Sequence, residues 1–183
     1  MRAPLFLLVT KDPYNVIFSK EYLMTRTYLL TILLGLIPVS ELRGAIPYAY
    51  FNGVPLWLSF VIGVLSNALV PVIGFAFLNT LHKILDRWSF YHNLFEKTVA
   101  RAQNKVGTKV SKYGLLGLML FVAIPLPITG AWTGTLGAWV LGLDRKKSLL
   151  FILLGVLVAG IVVTTVIYTG SGIASLFTKN IEI

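Results

Sequence analysis

From Tyr113 to Leu143 the chain runs 31 residues without a charged side chain, and then it meets Asp144-Arg145-Lys146-Lys147. As one α-helix this run would measure about 46 Å at 1.5 Å per residue, against a hydrocarbon core of about 30 Å. A single crossing would also leave three consecutive basic residues outside, against the positive-inside bias. Both difficulties vanish if the chain enters from the cytoplasm, turns within the apolar layer and comes back. The turn is marked by Ile124-Pro125-Leu126-Pro127-Ile128-Thr129-Gly130-Ala131-Trp132-Thr133-Gly134. Each proline there removes a backbone donor and disfavours helix just before it. Non-helical backbone at such depth is tolerated only against protein or water.

A second broken stretch, Pro38-Val39-Ser40-Glu41-Leu42-Arg43-Gly44-Ala45-Ile46-Pro47, interrupts an equally oily region. A first membrane helix is predicted from about Tyr22 to Ile37. Ala45 to Pro55 reads as the returning limb of a re-entrant hairpin, with a turn near Asn52-Gly53. Trp57 to Leu81 is long enough to span, with a kink at Pro71. The last apolar run, Ser148 to Phe177, then crosses outward, and Gly155, Gly160, Gly170 and Gly172 are expected to allow close helix packing.

Between the two regions, residues 82–112 change character. Apolar residues from Ile84 to Tyr113 step by three or four, the repeat of an amphipathic helix, while Lys97, Arg101, Lys105 and Lys109 line another face at four-residue spacing. Seven Lys or Arg against Asp86 and Glu96 place this segment in the cytoplasm, with its lysines toward anionic headgroups.

The expected fold is therefore an all-α integral membrane protein of two inverted repeats. Each repeat is a Pro-broken re-entrant hairpin plus a spanning helix, and a basic amphipathic helix joins them. Residues 1–183 form one membrane domain: an interfacial arm (1–26), the first repeat (27–81), the cytoplasmic helix (82–112) and the second repeat (113–177). In this repeat Ile37-Pro38 answers Ile124-Pro125, and Gly44-Ala45 answers Gly130-Ala131 with a one-residue slip. A composition of 56% hydrophobic and 13% charged residues agrees with a multi-pass protein of the cytoplasmic membrane. The formal charge of +9 then reports orientation rather than nucleic-acid binding, for which no soluble basic groove is available. A removed signal peptide is not expected, since Lys11-Asp12-Pro13 cuts off the N-terminal apolar run without a small-residue cleavage site.

Chemistry concentrates on the broken segments. An ionisable side chain at membrane depth costs a few kcal/mol and usually marks a path, so Glu41 and Arg43 lead the candidates. On an extended backbone residues two apart project to one side, which lets the two share a cavity. Glu41 would bind a coupling proton and Arg43 the anionic part of a solute, unless they form only a structural ion pair. Pro47 belongs to this wall; Pro125, Pro127, Thr129, Gly130 and Thr133 form the other. Gly130 and Gly134 also have the spacing of plain helix contacts. Asn67 and Asn79 read as helix-to-helix hydrogen bonds before path-lining groups, and Trp132 and Trp139 as cavity walls or interface anchors. The absence of cysteine removes disulfides and thiol chemistry. His82 and Asp86 find no third ligand in register, so neither a metal nor another cofactor is expected, and no enzyme signature is present.

With Glu41-Leu42-Arg43-Gly44-Ala45-Ile46-Pro47 and the Pro125 to Gly134 motif in view, the chain resembles the small multi-drug export protein family of prokaryotic membrane proteins over about residues 30–170. The hairpin layout is also similar to the DedA superfamily, with Glu41 where that superfamily places an acidic residue. The arginines it carries around its second hairpin are absent here. These resemblances imply a non-enzymatic secondary transporter exporting a small or amphipathic solute. Alternative expectations are a DedA-like lipid flippase or scramblase, and a scaffold that transports nothing. Membrane lipids, the solute and a second copy in a homodimer are the expected partners.

Overall fold

The computed structural model of the chain describes residues 13–85, 87–126 and 129–179, and among these all regular secondary structure is helical. Helix α1 (Pro13–Leu36) leads through a break to the short α2 (Glu41–Phe51), and a turn passes to the long α3 (Leu56–Leu85). The same order follows with α4 (Ser89–Ala123), a break, the short α5 (Ala131–Val140) and the long α6 (Arg145–Lys179). Helix α4 is itself interrupted at Gly114 (φ 58°, ψ −138°), which separates its basic limb from the apolar limb Tyr113–Ala123.

Two stretches, Leu56–Thr80 and Arg145–Gly170, are long and apolar enough to cross a membrane. Their outward faces carry Leu65, Leu69, Val72 and Ile73 on α3 and Ile161, Val162 and Val166 on α6, all exposed. A helix that is apolar on every side has no polar face to give to water, so lipid is its natural surround. The inward faces meet in a core around Ile46, Val70, Leu118, Val122, Ile152 and Val156.

Both short helices end in the same way. At the end of α2, Val54 N–H bonds to Ala49 O (3.1 Å) and Gly53 N–H to Tyr50 O (3.1 Å); at the end of α5, Leu143 N–H bonds to Ala138 O (3.0 Å) and Gly142 N–H to Trp139 O (3.1 Å). These are paired Schellman caps, each needing a residue of positive φ, which Gly53 (87°) and Gly142 (65°) supply. The same 89 residues separate Ala49 from Ala138, Gly53 from Gly142 and Ser59 from Ser148, and each of these serines is fully buried near the start of the following long helix. Counted from the caps, Glu41 matches Gly130, and both have positive φ. This corrects the expected pairing of Gly44 with Gly130: the second break has seven residues (124–130) against four (37–40), and the offset between the halves grows from 87 residues at Pro38 and Pro125 to 89 at the caps. The packing pattern is also unchanged when α1, α2 and α3 are exchanged for α4, α5 and α6.

Several expected boundaries move. The first break is confined to Ile37–Ser40, and α2 runs through Pro47, because one missing hydrogen bond is outweighed by burial of Ala45, Ile46 and Ala49. Helix α1 starts at Pro13, inside the expected arm, and the basic helix starts at Ser89, leaving His82 on α3. Gly155 and Gly160 are close-packing sites: a Cβ there would lie 2.7 Å from Met119 O and 2.5 Å from Val64 Cγ2. At Gly170 a Cβ would meet nothing within 4 Å among the described residues.

Gly35 provides a test of the α1–α3 contact. A Cβ there would overlap Ser66 Oγ and lie 2.8 Å from Ser66 Cβ. Gly35→Ala is expected to cost about 1–3 kcal/mol through overpacking. Adding Ser66→Gly should restore most of the loss, measured as the thermal midpoint in detergent.

Candidate functional site

Glu41 opens α2 with φ 50°, a left-handed conformation uncommon for a residue with a Cβ. This backbone takes its side chain off the track of its own helix, and corrects the extended geometry expected from sequence. The buried carboxylate reaches the start of α5, where Oε2 accepts from Ala131 N–H at 3.3 Å and Oε1 from Trp132 N–H at 3.2 Å. The first N–H groups of a helix lack internal partners and form its positive end, so Glu41 caps a helix 90 residues away in sequence.

Gly130 makes this approach possible. It stands before α5 with φ 136° and ψ −166°, and a Cβ there would overlap Glu41 Oε2 and lie 2.6 Å from Glu41 Cδ. The carboxylate occupies the space that a side chain at 130 would need.

Arg43, half-buried, also reaches the second break. Its Nη1 donates to Leu126 O and its Nη2 to Thr129 O at 3.1 Å, while Nη2 stands 3.9 Å from Glu41 Oε2. Glu41 and Arg43 are thus near each other, but each makes its hydrogen bonds to the other broken segment. Thr129 organises those acceptors: its hydroxyl lies 2.7 Å from Ile124 O and 2.8 Å from Leu126 O, and accepts from Leu126 N–H at 3.1 Å. A further tie runs back from α5, where Trp132 Nε1 donates to Leu36 O at 2.8 Å, at the end of α1.

Beside these contacts lies a small, partly open cavity of about 10 Å³, close to the roughly 10–15 Å³ that one water requires. Glu41, Arg43, Asn67, Pro125, Thr129 and Gly130 are in its wall. Asn67 is fully buried; its Nδ2 donates to Gly35 O at 2.9 Å, joining α3 to α1, and its Oδ1 has no hydrogen-bond partner among the described residues.

Of the residues singled out from sequence, Glu41, Arg43, Pro125, Thr129 and Gly130 come together at this cavity. Pro47 and Thr133 are half-buried on α2 and α5, outside its lining. Pro127 lies outside the described residues, as do Asp86 and the side chains of Lys105 and Lys109; Lys97 and Arg101 are exposed on α4. Trp132 is the tie to α1, whereas Trp139 packs edge-on against His82, which stacks on Phe95. Sequence reasoning did not find the backbone partners, namely the carbonyls of Leu126 and Thr129 and the N–H groups of Ala131 and Trp132. The available signal was a glycine directly after a Pro-rich run, where a helix starts.

A family model described as putative small multi-drug export protein matches residues 41–162, about two thirds of the chain. The matched span contains every residue of the cavity wall. No curated protein and no solved structure matches.

Proposed function

Because the chain belongs to the Putative small multi-drug export protein family, we propose that it is a membrane exporter whose gate is the junction of its two broken segments. The observation that carries this reading is the closure of Glu41 onto the N–H groups of Ala131 and Trp132. A charge at the start of one short helix holds the start of the other.

In this reading α2 and α5 are the returning limbs of re-entrant hairpins, α3 and α6 span the membrane, and the halves are inverted repeats that meet near the midplane. The matched Schellman caps and the packing pattern preserved on exchange of the halves support it. The solute passes when α2 and α5 part. Protonation of Glu41 withdraws an acceptor from one of the two N–H groups, which gives a proton a way to loosen the latch. Arg43 steadies the loop carbonyls, and the exposed Lys97 and Arg101 face anionic headgroups at the cytoplasmic surface.

The chain has no cysteine, so a pair introduced as Leu42→Cys and Ile124→Cys, two positions in the cavity wall, reports on this junction alone. Proteoliposomes would be assayed for movement of ethidium, Nile red and carboxyfluorescein. A short reducible cross-linker is expected to stop movement of whichever dye is transported, and reduction to restore it. Unaltered flux after complete cross-linking would sink the gate.

A further inference from the structure

We infer that the junction cavity selects the group that enters it by hydrogen-bond polarity, taking a neutral N–H or O–H donor and refusing anions. This deepens the exporter reading and rests on it. The amide of Asn67 is oriented by the bond from Nδ2 to Gly35 O, which leaves Oδ1 as a buried acceptor without a partner among the described residues. A buried acceptor left alone is unfavourable, so a donor placed there is favoured over an empty or acceptor-filled site.

Glu41 is a second acceptor in the same wall. Arg43 is the one cation among the described lining residues, and its guanidinium is engaged by the carbonyls of Leu126 and Thr129. An anion would face the Glu41 carboxylate in the same wall, and the Arg43 charge that could offset it is already balanced by that carboxylate 3.9 Å away. A full cation fares poorly too, since the Arg43 guanidinium lies 3.9 Å from that carboxylate and the N-terminus of α5 already caps it. What remains is a neutral donor. With the gate closed, about 10 Å³ suits one water; with α2 and α5 apart, a terminal donor of the solute takes that place. A group that displaces a held water must reproduce its hydrogen bond or lose affinity.

The test uses three amphiphiles with one common tail: a primary amide, its N,N-dimethyl amide and the corresponding carboxylate. In proteoliposomes the native chain is expected to move the primary amide about ten times faster than the dimethyl amide, a mild form of the discrimination shown by sites built around a hydrogen bond. The carboxylate should stay at the protein-free rate. Asn67→Leu should lose the preference and move the primary amide no faster than the dimethyl amide. Equal rates for the amides in the native chain, a preference that survives Asn67→Leu, or rapid movement of the carboxylate would overturn donor selection.

A second measurement leaves Asn67 in place. In an Ile124→Cys chain, the primary amide should slow thiol labelling at the cavity and the dimethyl amide should not; equal protection by both would overturn the inference. If none of the three amphiphiles moves, the exporter reading falls, and the labelling result still decides donor selection.

Discussion

Gly130→Ala is expected to lower the thermal midpoint in detergent by about 8–16 °C, equivalent to about 4 kcal/mol for a chain of this size. Two separate costs produce the loss. The first is backbone strain: φ 136° with ψ −166° is nearly reserved for glycine, and a side chain there costs about 1–3 kcal/mol. The second is the overlap of the new Cβ with Glu41 Oε2. To relieve it the carboxylate must move off Ala131 and Trp132 N–H, giving up hydrogen bonds to a charged group worth about 1.5–3 kcal/mol each. The costs separate in a Glu41→Gly background, where the overlap is gone and only the backbone strain remains. Gly130→Ala should cost clearly less there, read by size-exclusion thermal shift on all four proteins. An equal cost in both backgrounds would show that the carboxylate does not occupy the space at position 130.

That space explains what could and could not be read from the sequence. The break within Tyr113–Leu143 was legible because the run is too long for one straight crossing helix, and the helix is broken at Ile124–Gly130 within the expected segment. The turns were legible too, since Asn52-Gly53 carries the residue type that positive φ demands. The extent of the first break was not, because proline states a local preference while the helix through Pro47 is decided by burial of Ala45, Ile46 and Ala49. Gly130 and Gly134 looked alike at small-residue spacing, yet they serve different contacts. A Cβ at Gly134 would lie 2.6 Å from Val122 Cγ2, an ordinary helix packing, whereas Gly130 makes room for a charge. The partners of Glu41 and Arg43 were invisible for a simpler reason. They are backbone groups, present in every residue, and only the chain path says which of them converge.

Those partners also decide how the two charges share their work, and Glu41→Ala is the second large effect to expect. It leaves the first N–H groups of α5 without their cap and Arg43 without a nearby counter-charge, in a place where the carboxylate is 4% exposed. Removing one member of a buried charged arrangement costs about 3–5 kcal/mol. Glu41→Gln keeps a carbonyl oxygen for one of the two N–H groups and should cost about half as much. Arg43→Ala should cost less than Glu41→Ala, because Arg43 is half-buried and the Leu126 carbonyl keeps its contact with the Thr129 hydroxyl. A purely structural ion pair makes a different forecast from two charges that each brace the opposite break. In the pair, the second removal adds little once the first partner is gone, so the double variant is much less damaged than the sum of the singles. With separate braces the losses nearly add, leaving a coupling of about 1 kcal/mol or less across the 3.9 Å contact. The Glu41→Ala/Arg43→Ala cycle, measured by thermal shift beside dye movement, distinguishes the two. Near-additive losses of stability with transport abolished already by Glu41→Gln are the result expected of a latch between two moving segments.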